Sequence, residues 1–266
     1  MGDVIQQGWE KLVVSPEEAL KRIEPGMKIF LTTGVAEPLT LMKHMTASEE
    51  ANLHDLELIQ LFSFGDAISL RDSRFQKYRL KTFFSGWVAN EAITEGVVDL
   101  IPTRFSRIPR LIEQGHIPID AAFIQVTPPN QAGYCSLGVA VDVARMAMEQ
   151  ASLVVGEINP QVPLTYGDTF VRVTDFDVLV RSTEPPIYFN RWPVDKVFKQ
   201  VAANVASVIE DGSCLAFSVG PLYEALSRQL ADKKHLGVHS AFFTDSLMDL
   251  VESGAATNRR KEIWRG

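Results

Sequence analysis

Two segments of the chain place glycine, proline and polar side chains directly after apolar runs, a combination typical of ligand-binding loops. The first, residues 126–138, reads VTPPNQAGYCSLG, and the second, residues 159–169, reads NPQVPLTYGDT. Glycines in the first let a ligand approach the backbone, and the helix predicted after it offers an N-terminus to an anion. The polar groups of the second segment are suited to binding a ligand or, alternatively, to hydrogen bonding with the backbone of their own turn. For the first segment, the alternative is an ordinary Pro/Gly loop.

Other residues of catalytic type are scattered along the chain. The five histidines show no metal-ligand spacing, and the sequence contains no GxGxxG, Walker A, HExxH, GxSxG or EF-hand pattern. We therefore predict no metal site. Cys135 is a candidate nucleophile, but a small buried loop residue is the favoured interpretation.

The elements that position these two loops alternate in type. Amphipathic spacing predicts helices, among them one over residues 139–150, and the SPEE sequence from Ser15 is a capping box that opens the first helix. Residues 170–182 add one or two strands to those predicted from apolar runs at residues 28–32, 56–62, 81–84, 97–101, 120–126 and 153–158. The alternation predicts an α/β domain over residues 10–185, an open, mostly parallel sheet with helices on both faces. Both loops then lie at the carboxyl edge of the sheet, where such folds bind ligands.

A second unit begins at Pro193, after a linker that contains Pro185 and Pro186. Valines at positions 197, 201, 205 and 208 recur at helical spacing and predict a helix over residues 194–209. Strand and helix patterns then alternate, so residues 193–266 predict the beginning of a second α/β domain. Two parallel strands with their helices do not form a stable sheet alone, so we expect this domain to be incomplete and to need a partner.

Composition excludes several classes of protein. The 26 Lys and Arg against 33 Asp and Glu give a formal net charge of −7, which argues against nucleic-acid binding. The two cysteines lie far apart, which excludes a zinc ribbon or a disulfide scaffold and fits a reducing cytoplasm. The N-terminal residues predict no signal peptide. The longest uncharged stretch, residues 121–141, contains two prolines and cannot form a membrane helix.

The two loops, in this order and at this spacing, resemble the acetyl-CoA hydrolase/4-hydroxybutyrate CoA-transferase family. Family members read close to SPPDxHGYCSLG and NxQMPRTxGDS at these places. The stretches PEEAL from Pro16, IPRL from Ile108 and LGVH from Leu236 also agree with the family. The resemblance extends from about Trp9 to Arg260, and the GYCSLG and NPQVP blocks are its specific part.

This resemblance implies two similar α/β domains of the sugar-phosphate isomerase/CoA-transferase group. It also implies ping-pong CoA transfer between an acyl-CoA and a small carboxylic acid through a glutamyl-CoA thioester. CoA and acyl-CoA are then substrates, no separate cofactor is implied, and a homo-oligomer is expected. The substrate-binding positions that the resemblance carries over are Gly133, Tyr134, Ser136, Gly138, Asn159, Gln161, Pro163, Gly220 and His239.

The sequence departs from the family at the nucleophile. Relatives carry LGIHTEMFSDG where this chain reads LGVHSAFFTDS, so Ala241 occupies the position of the glutamate. The family's glycine-rich GIG sequence is replaced by Ser218-Val219-Gly220. Relatives also continue beyond the position of Gly266, so we expect either a shortened chain or a half-protein with a partner subunit. One interpretation is an altered CoA-transferase or acyl-CoA hydrolase. A second interpretation is a non-catalytic subunit that binds acyl-CoA or only a partner chain. A third, a sugar-phosphate-binding domain, rests on fold analogy alone.

Overall fold

A computed structural model describes residues 8–64 and 78–263, with the side chains of all but residues 86–89. The chain divides into two compact units, Met1–Tyr188 and Phe189–Gly266. We call them unit 1 and unit 2. Each unit buries its apolar side chains in its own hydrophobic clusters.

Unit 1 is built on an eight-stranded sheet in which every recorded strand pairing is parallel. The described strands of unit 1, including two outside this sheet, are β1 (Val13–Val14), β2 (Lys28–Leu31), β3 (Leu56–Gln60), β4 (Tyr78–Thr82), β5 (Val98–Leu100), β6 (Ala121–Val126), β7 (Tyr134–Ser136), β8 (Leu153–Ile158), β9 (Phe170–Arg172) and β10 (Val178–Arg181). The order across the sheet is β1-β10-β8-β6-β2-β3-β4-β5, and β7 pairs with β9 separately. The predicted open parallel sheet is confirmed.

Helices cover both faces of this sheet because successive strand residues point to opposite faces. In β2, Ile29 and Leu31 lie in one apolar cluster and Phe30 lies in the other. The first cluster receives side chains from α1 (Pro16–Leu20), α2 (Leu39–Ala47) and α3 (Gly86–Thr94). The second receives side chains from α4 (Ile108–Glu113) and α5 (Ala144–Gln150).

The start of α1 follows the predicted capping box. The Oγ of Ser15 accepts a hydrogen bond from the backbone N–H of Glu18 at 3.2 Å, and Pro16 occupies the first helical position. This bond satisfies one of the N–H groups that a helix leaves unpaired at its N-terminus. The cap therefore sets where the chain leaves β1 and crosses the sheet.

The segment after the first loop differs from the prediction. The helix expected over residues 139–150 begins only at Ala144, and Tyr134–Ser136 forms β7, antiparallel to β9. The prediction that a helix N-terminus directly follows residue 138 is therefore wrong, because residues 139–143 are not helical. Residues 134–137 instead pair with residues distant in sequence, and the N–H of Leu137 donates to the carbonyl of Thr169 at 2.8 Å.

Unit 2 contains a two-stranded parallel sheet, with Ala216 opposite His239. Its elements are β11 (Cys214–Phe217), β12 (Gly237–Ser240), α6 (Lys196–Ser207), α7 (Pro221–Leu230) and α8 (Asp245–Glu252). The predicted helix α6 is confirmed, but it buries Ala202 and Ala206 instead of its valines. The valines form an exposed stripe, with exposed fractions of 66% at Val197, 41% at Val201, 36% at Val205 and 79% at Val208.

An arginine ties the segment before α6 to the other two helices of unit 2. Arg191 donates through Nε and a terminal nitrogen to Oε2 of Glu224 at 3.0 and 2.8 Å, and the same nitrogen donates to Asp249. Hydrogen bonds to Asp249 and Glu224 raise the pKa of the Arg191 guanidinium. Because Glu224 is only 4% exposed, this pairing compensates a carboxylate that is otherwise costly to bury.

Candidate active site

The two loops singled out in the sequence lie side by side at the carboxyl edge of the unit 1 sheet. One follows β6 and the other follows β8, and these strands are parallel neighbours in register from Ala121 opposite Leu153 to Val126 opposite Ile158. The hydroxyl of Thr165 donates to the carbonyl of Gly138 at 2.8 Å and so joins them. The predicted adjacency of residues 127–138 and 159–169 is confirmed.

Ser136 is the junction between these loops. Its Oγ accepts hydrogen bonds from the N–H of Gly138 at 3.1 Å and from the N–H of Thr165 at 3.3 Å. The same oxygen lies within 3.3 Å of Thr165 Oγ1 and 3.4 Å of Thr169 Oγ1. Since the side chain is fully buried, its place in the structure is to hold the two loops in register.

Gly138 allows the close approach of the two loops. Its φ is +64°, a backbone conformation that is unfavourable for residues other than glycine. A Cβ at this position would lie 2.2 Å from Cγ1 of Val162 in the second loop. Both the backbone conformation and the available space therefore require glycine.

Asn159 anchors the start of the second loop. Its Nδ2 donates to Oε1 of Gln125 at 2.8 Å and to the carbonyl of Glu184 at 3.1 Å, while its Oδ1 accepts from the N–H of Gln161 at 3.0 Å. The side chain is 1% exposed, and its bond to Gln125 is fully buried while the other two bonds are partly buried. Asn159 therefore positions Gln161, whose own side chain is exposed beside exposed Pro163.

A buried polar row continues from Asn159 across the carboxyl edge of the sheet. From Gln125 at the end of β6, Nε2 donates to the carbonyl of Glu37 at 3.3 Å. The carboxylate of Glu37 accepts from Gln60 Nε2 at 3.2 Å and from Ser63 Oγ at 3.0 Å. These residues follow or end β8, β6, β2 and β3, which are consecutive in the sheet.

One atom of this region, Gln60 Oε1, has no hydrogen-bond partner in the described residues, and Gln60 is fully buried. The hydroxyl of buried Thr33 faces the carboxyl group of Asp142 and opposes the rise that burial causes in the pKa of that group. Both N–H groups of the Gln60 amide are used, by Glu37 and by the carbonyl of Thr32 at 2.9 Å. An unpaired buried acceptor is unfavourable, and such atoms occur where a structure takes up a further polar group.

Glu157 fixes helix α2 against the same edge. One carboxylate oxygen accepts from the N–H of Thr40 at 3.2 Å and from Ser182 Oγ at 2.7 Å, and the other accepts from the N–H of Leu41 at 3.0 Å. The carboxylate therefore binds the N–H groups at the N-terminus of α2, where a negative charge is favourable. Burial nevertheless raises the pKa of Glu157, with the hydrogen bonds opposing this effect.

This polar row and the cap on α2 were not predicted from the sequence. The available signal was a polar residue near the end of each largely apolar strand: Gln60 after LELI, Gln125 after AAFI and Glu157 after LVVG. A lone polar residue in an apolar strand indicates a buried hydrogen-bond network. The pattern does not reveal the partners, because they come from other strands.

The remaining loop residues differ in exposure. Gly133 has a φ of +79° and is buried, and Tyr134 is half-buried. Cys135 is fully buried, and desolvation raises the pKa of its thiol to about 12. A thiol in this state is not a nucleophile near neutral pH. The predicted burial of Cys135 is therefore confirmed, but the residue lies in strand β7 and not in a loop.

In unit 2, three of the singled-out positions follow or end the parallel strands. His239 is exposed on β12, and Ala241 is exposed immediately after that strand. Gly220 precedes α7 with a φ of +122°. The turn after β12 is held by Ser240, whose Oγ lies 2.7 Å from the carbonyl of Phe217 and accepts from the N–H of Phe242 at 3.1 Å.

Among residues 8–64 and 78–263, no group of three or more His, Cys, Asp or Glu side chains lies close enough together to hold a metal ion. Across the same residues, every helix is too short or too polar to cross a membrane.

Comparison with known proteins gives a consistent result. The model of the acetyl-CoA hydrolase/transferase N-terminal domain matches residues 3–211. A 4-hydroxybutyrate coenzyme A transferase from Clostridium kluyveri is 32% identical over 262 residues, which are 97% of this chain and 61% of that protein. A succinyl-CoA:cyclohexane-1-carboxylate CoA transferase from Geobacter metallireducens is 28% identical over 98% of this chain and 59% of its own length.

Solved structures agree with these relatives. RipA from Yersinia pestis superposes with a TM-score of 0.87 at 26% identity, over 98% of this chain and 63% of that protein. A 4-hydroxybutyrate CoA-transferase from Porphyromonas gingivalis gives a TM-score of 0.83 at 27% identity, over 97% of this chain and 61% of its own. The chain therefore spans less than two thirds of the length of each of these proteins.

Proposed function

The chain belongs to the acetyl-CoA hydrolase/transferase family, and we propose that its fold serves CoA transfer between an acyl-CoA and a small carboxylic acid. The match over residues 3–211 is the observation that carries this proposal. Relatives named as CoA transferases support a CoA thioester as the substrate class. Exposed Gln161 and Pro163 are the loop residues of unit 1 that we assign to substrate contact, and buried Ser136, Gly138 and Asn159 position them.

The proposed reaction needs a carboxylate at position 241. A glutamate oxygen attacks the thioester carbonyl, the C–S bond breaks, and CoA leaves as a thiolate, so that an acyl-glutamyl anhydride forms. The thiolate then attacks the glutamyl carbonyl and expels the acyl group as a carboxylate, which gives a glutamyl-CoA thioester. An incoming carboxylate reverses the two steps. Ala241 supplies only a methyl group, so the chain as written binds acyl-CoA but does not form the anhydride.

Restoring the carboxylate tests the proposal. Ala241 is exposed at the end of β12, so a glutamate side chain enters open space and does not overpack the core. Ala241→Glu is placed both in the chain itself and in a chimera that adds the C-terminal part of the Clostridium kluyveri relative. The unmodified forms should transfer no CoA, and the chimera with Ala241→Glu should transfer it between an acyl-CoA and acetate.

Ala241→Gln is the matched control, because its amide has the same size and does not form the anhydride. Hydroxylamine or borohydride should inactivate the Ala241→Glu chimera only when acyl-CoA is present, since both reagents trap a glutamyl thioester. Turnover by the unmodified chain, or none by the Ala241→Glu chimera, contradicts the proposal.

A second candidate function is that of a non-catalytic subunit, and a specific observation favours it. The stripe of Val197, Val201, Val205 and Val208 on α6 leaves apolar surface exposed, as expected of a face that another polypeptide covers. The proposed partner is a second copy of this chain or a separate subunit. A reducing, cytoplasmic location belongs to the same proposal and is supported by two unpaired cysteines.

Sedimentation of the purified chain tests this association. We expect a dimer, and Val197→Lys combined with Val201→Lys should convert it to monomer because two charges oppose burial of the stripe. Ala203→Lys places a lysine at an exposed position on the opposite side of the same helix and should leave the dimer intact. A monodisperse monomer at all concentrations contradicts the homo-oligomer.

A further inference from the structure

One edge of the two-stranded sheet in unit 2 is closed by other parts of the same unit. Just before β12, Leu236 pairs in parallel with Ala256. Further along this edge, the N–H of Val238 donates to Oδ1 of Asn258 at 2.8 Å, and the carbonyl of Val238 accepts from Nζ of Lys261 at 2.7 Å. The backbone groups that β12 turns away from β11 are therefore paired, which protects this edge from other strands.

The opposite edge of this sheet is open, since β11 has no second neighbouring strand in the described residues. The carbonyl of Ser213 accepts from the N–H of Gly237 at 2.9 Å and so points to β12. Because alternate residues of a strand direct their backbone groups to opposite sides, Cys214 and Ala216 present theirs at the outer edge. The strand reads CLAF and has neither the charged residue nor the proline that protects exposed edges, so we expect this edge to pair with another strand.

Unit 1 contains the same order of elements, but there the corresponding edge is filled. Helix α1, β2, α2 and β3 follow one another as α6, β11, α7 and β12 do, and β2 pairs in parallel with β3 as β11 pairs with β12. On its other side, β2 pairs in parallel with β6, which is followed across the sheet by β8 and β10. All residues of β6 and β8 are buried. By this internal comparison, the open edge of β11 fits apolar strands that run parallel to it.

The helix that precedes each of these strands gives the same result. In unit 1, α1 packs against α2 and β10, and its residues Ala19 and Leu20 lie in the apolar cluster that contains Val178 and Val180 of β10. In unit 2, α6 packs against α7, but its valine stripe is exposed. Unit 2 thus leaves uncovered both a strand edge and a helix face whose counterparts in unit 1 are covered by further strands.

The comparison with relatives supplies the occupant. The matched family model is that of an N-terminal domain, and the 262 residues aligned with the Clostridium kluyveri relative are only 61% of that protein. We infer that a polypeptide equivalent to the C-terminal region of these relatives binds unit 2 and adds apolar strands at the open edge of β11, against the valine stripe. The inference rests on the proposed association, since it names the partner. Because a second copy of the chain covers the same stripe, this polypeptide should dissociate the dimer.

Mixing the whole chain with the separately expressed C-terminal region of the Clostridium kluyveri relative tests the inference. Sedimentation should show a complex of one copy of each in place of the dimer, and hydrogen exchange of peptides that cover residues 213–218 should slow by about tenfold or more. Ala216→Pro removes an outward N–H without removing a bond to β12, so it should raise the dissociation constant by about tenfold or more. Ala216→Gly keeps this N–H and is the matched control, with an expected change of less than about threefold.

The chimera that carries the same region after residue 266 gives a second measurement, which does not require the separate region to fold on its own. Residues 213–218 should exchange more slowly in the chimera than in the chain alone, and circular dichroism confirms that the Ala216→Pro forms are folded. Absence of this protection in both the mixture and the chimera overturns the inference.

The remaining outcomes separate the inference from the proposals on which it rests. Binding that Ala216→Pro leaves unchanged overturns the inference, as does exchange of residues 213–218 in the homodimer that is already as slow as in the chimera, because a second copy then fills the edge. Failure of transfer in the Ala241→Glu chimera contradicts the proposed reaction while protection of β11 persists. A monomeric chain that still binds the C-terminal region contradicts only the homo-oligomer.

Discussion

Replacement of Gly138 by alanine tests whether the two loops are locked together as the structure indicates. The new Cβ occupies a backbone conformation at φ +64°, which costs a non-glycine residue about 1 to 2 kcal/mol. It also lies 2.2 Å from Cγ1 of Val162, and overpacking of this kind costs about 1 to 3 kcal/mol. We therefore expect Gly138→Ala to lower the free energy of unfolding by about 2 to 5 kcal/mol.

Two further variants separate the backbone cost from the overlap. Gly96 has a φ of +75° and no atom within 4 Å of a new Cβ, so Gly96→Ala should show only the backbone cost of about 1 to 2 kcal/mol. Val162→Ala removes the atom that Gly138→Ala meets, at a cost of about 1 to 2 kcal/mol for two buried methyl groups. The double variant should be more stable than the sum of the single effects predicts, by about 1 to 3 kcal/mol.

The assay is urea denaturation of the whole chain, combined with hydrogen exchange of peptides that cover residues 127–169. Exchange should accelerate in both loops of Gly138→Ala, since each loop holds the other through Ser136 and Thr165. Equal destabilisation by Gly138→Ala and Gly96→Ala would refute the steric argument. Strict additivity in the double variant would refute the contact with Val162.

Two other predictions concern buried groups. Glu157→Ala should destabilise unit 1 by about 3 to 5 kcal/mol, because three donors lose their acceptor at about 1 to 3 kcal/mol each and the losses overlap. Burial raises the pKa of Glu157 in the folded chain. Its protonation therefore contributes stability that is fully present below the ordinary carboxyl pKa and is lost as the pH rises through the folded-state pKa. Glu157→Gln should remove this pH dependence from the free energy of unfolding measured in urea. Iodoacetamide at pH 8 should label exposed Cys214 in the folded chain and Cys135 only in urea, as peptide mass spectrometry measures, since burial raises the pKa of Cys135 to about 12. Fast labelling of Cys135 in the folded chain would contradict its burial.

Local sequence patterns determine most of the secondary structure of this chain. The capping box at Ser15 and the apolar run at residues 28–32 predict α1 and β2 because the decisive interactions lie within a few residues. The alternation of such elements also predicts a parallel sheet and the adjacency of the two loops, since parallel neighbours end at the same edge. The type of residue at position 241 is equally a property of the sequence, and the family resemblance, without reference to the fold, leads us to expect that a nucleophile is missing there.

Tertiary structure decided which polar groups meet and which apolar faces are covered. Gln60, Gln125 and Glu157 are separated by many residues, and only the order of the strands brings their partners within hydrogen-bond distance. The pairing of β7 with β9 likewise joins residues more than 30 positions apart, which local patterns do not reveal. The valines of α6 recur at helical spacing, but the buried residues of this helix are Ala202 and Ala206. Periodicity identifies an apolar face, and only the neighbouring elements determine which face of the helix is packed.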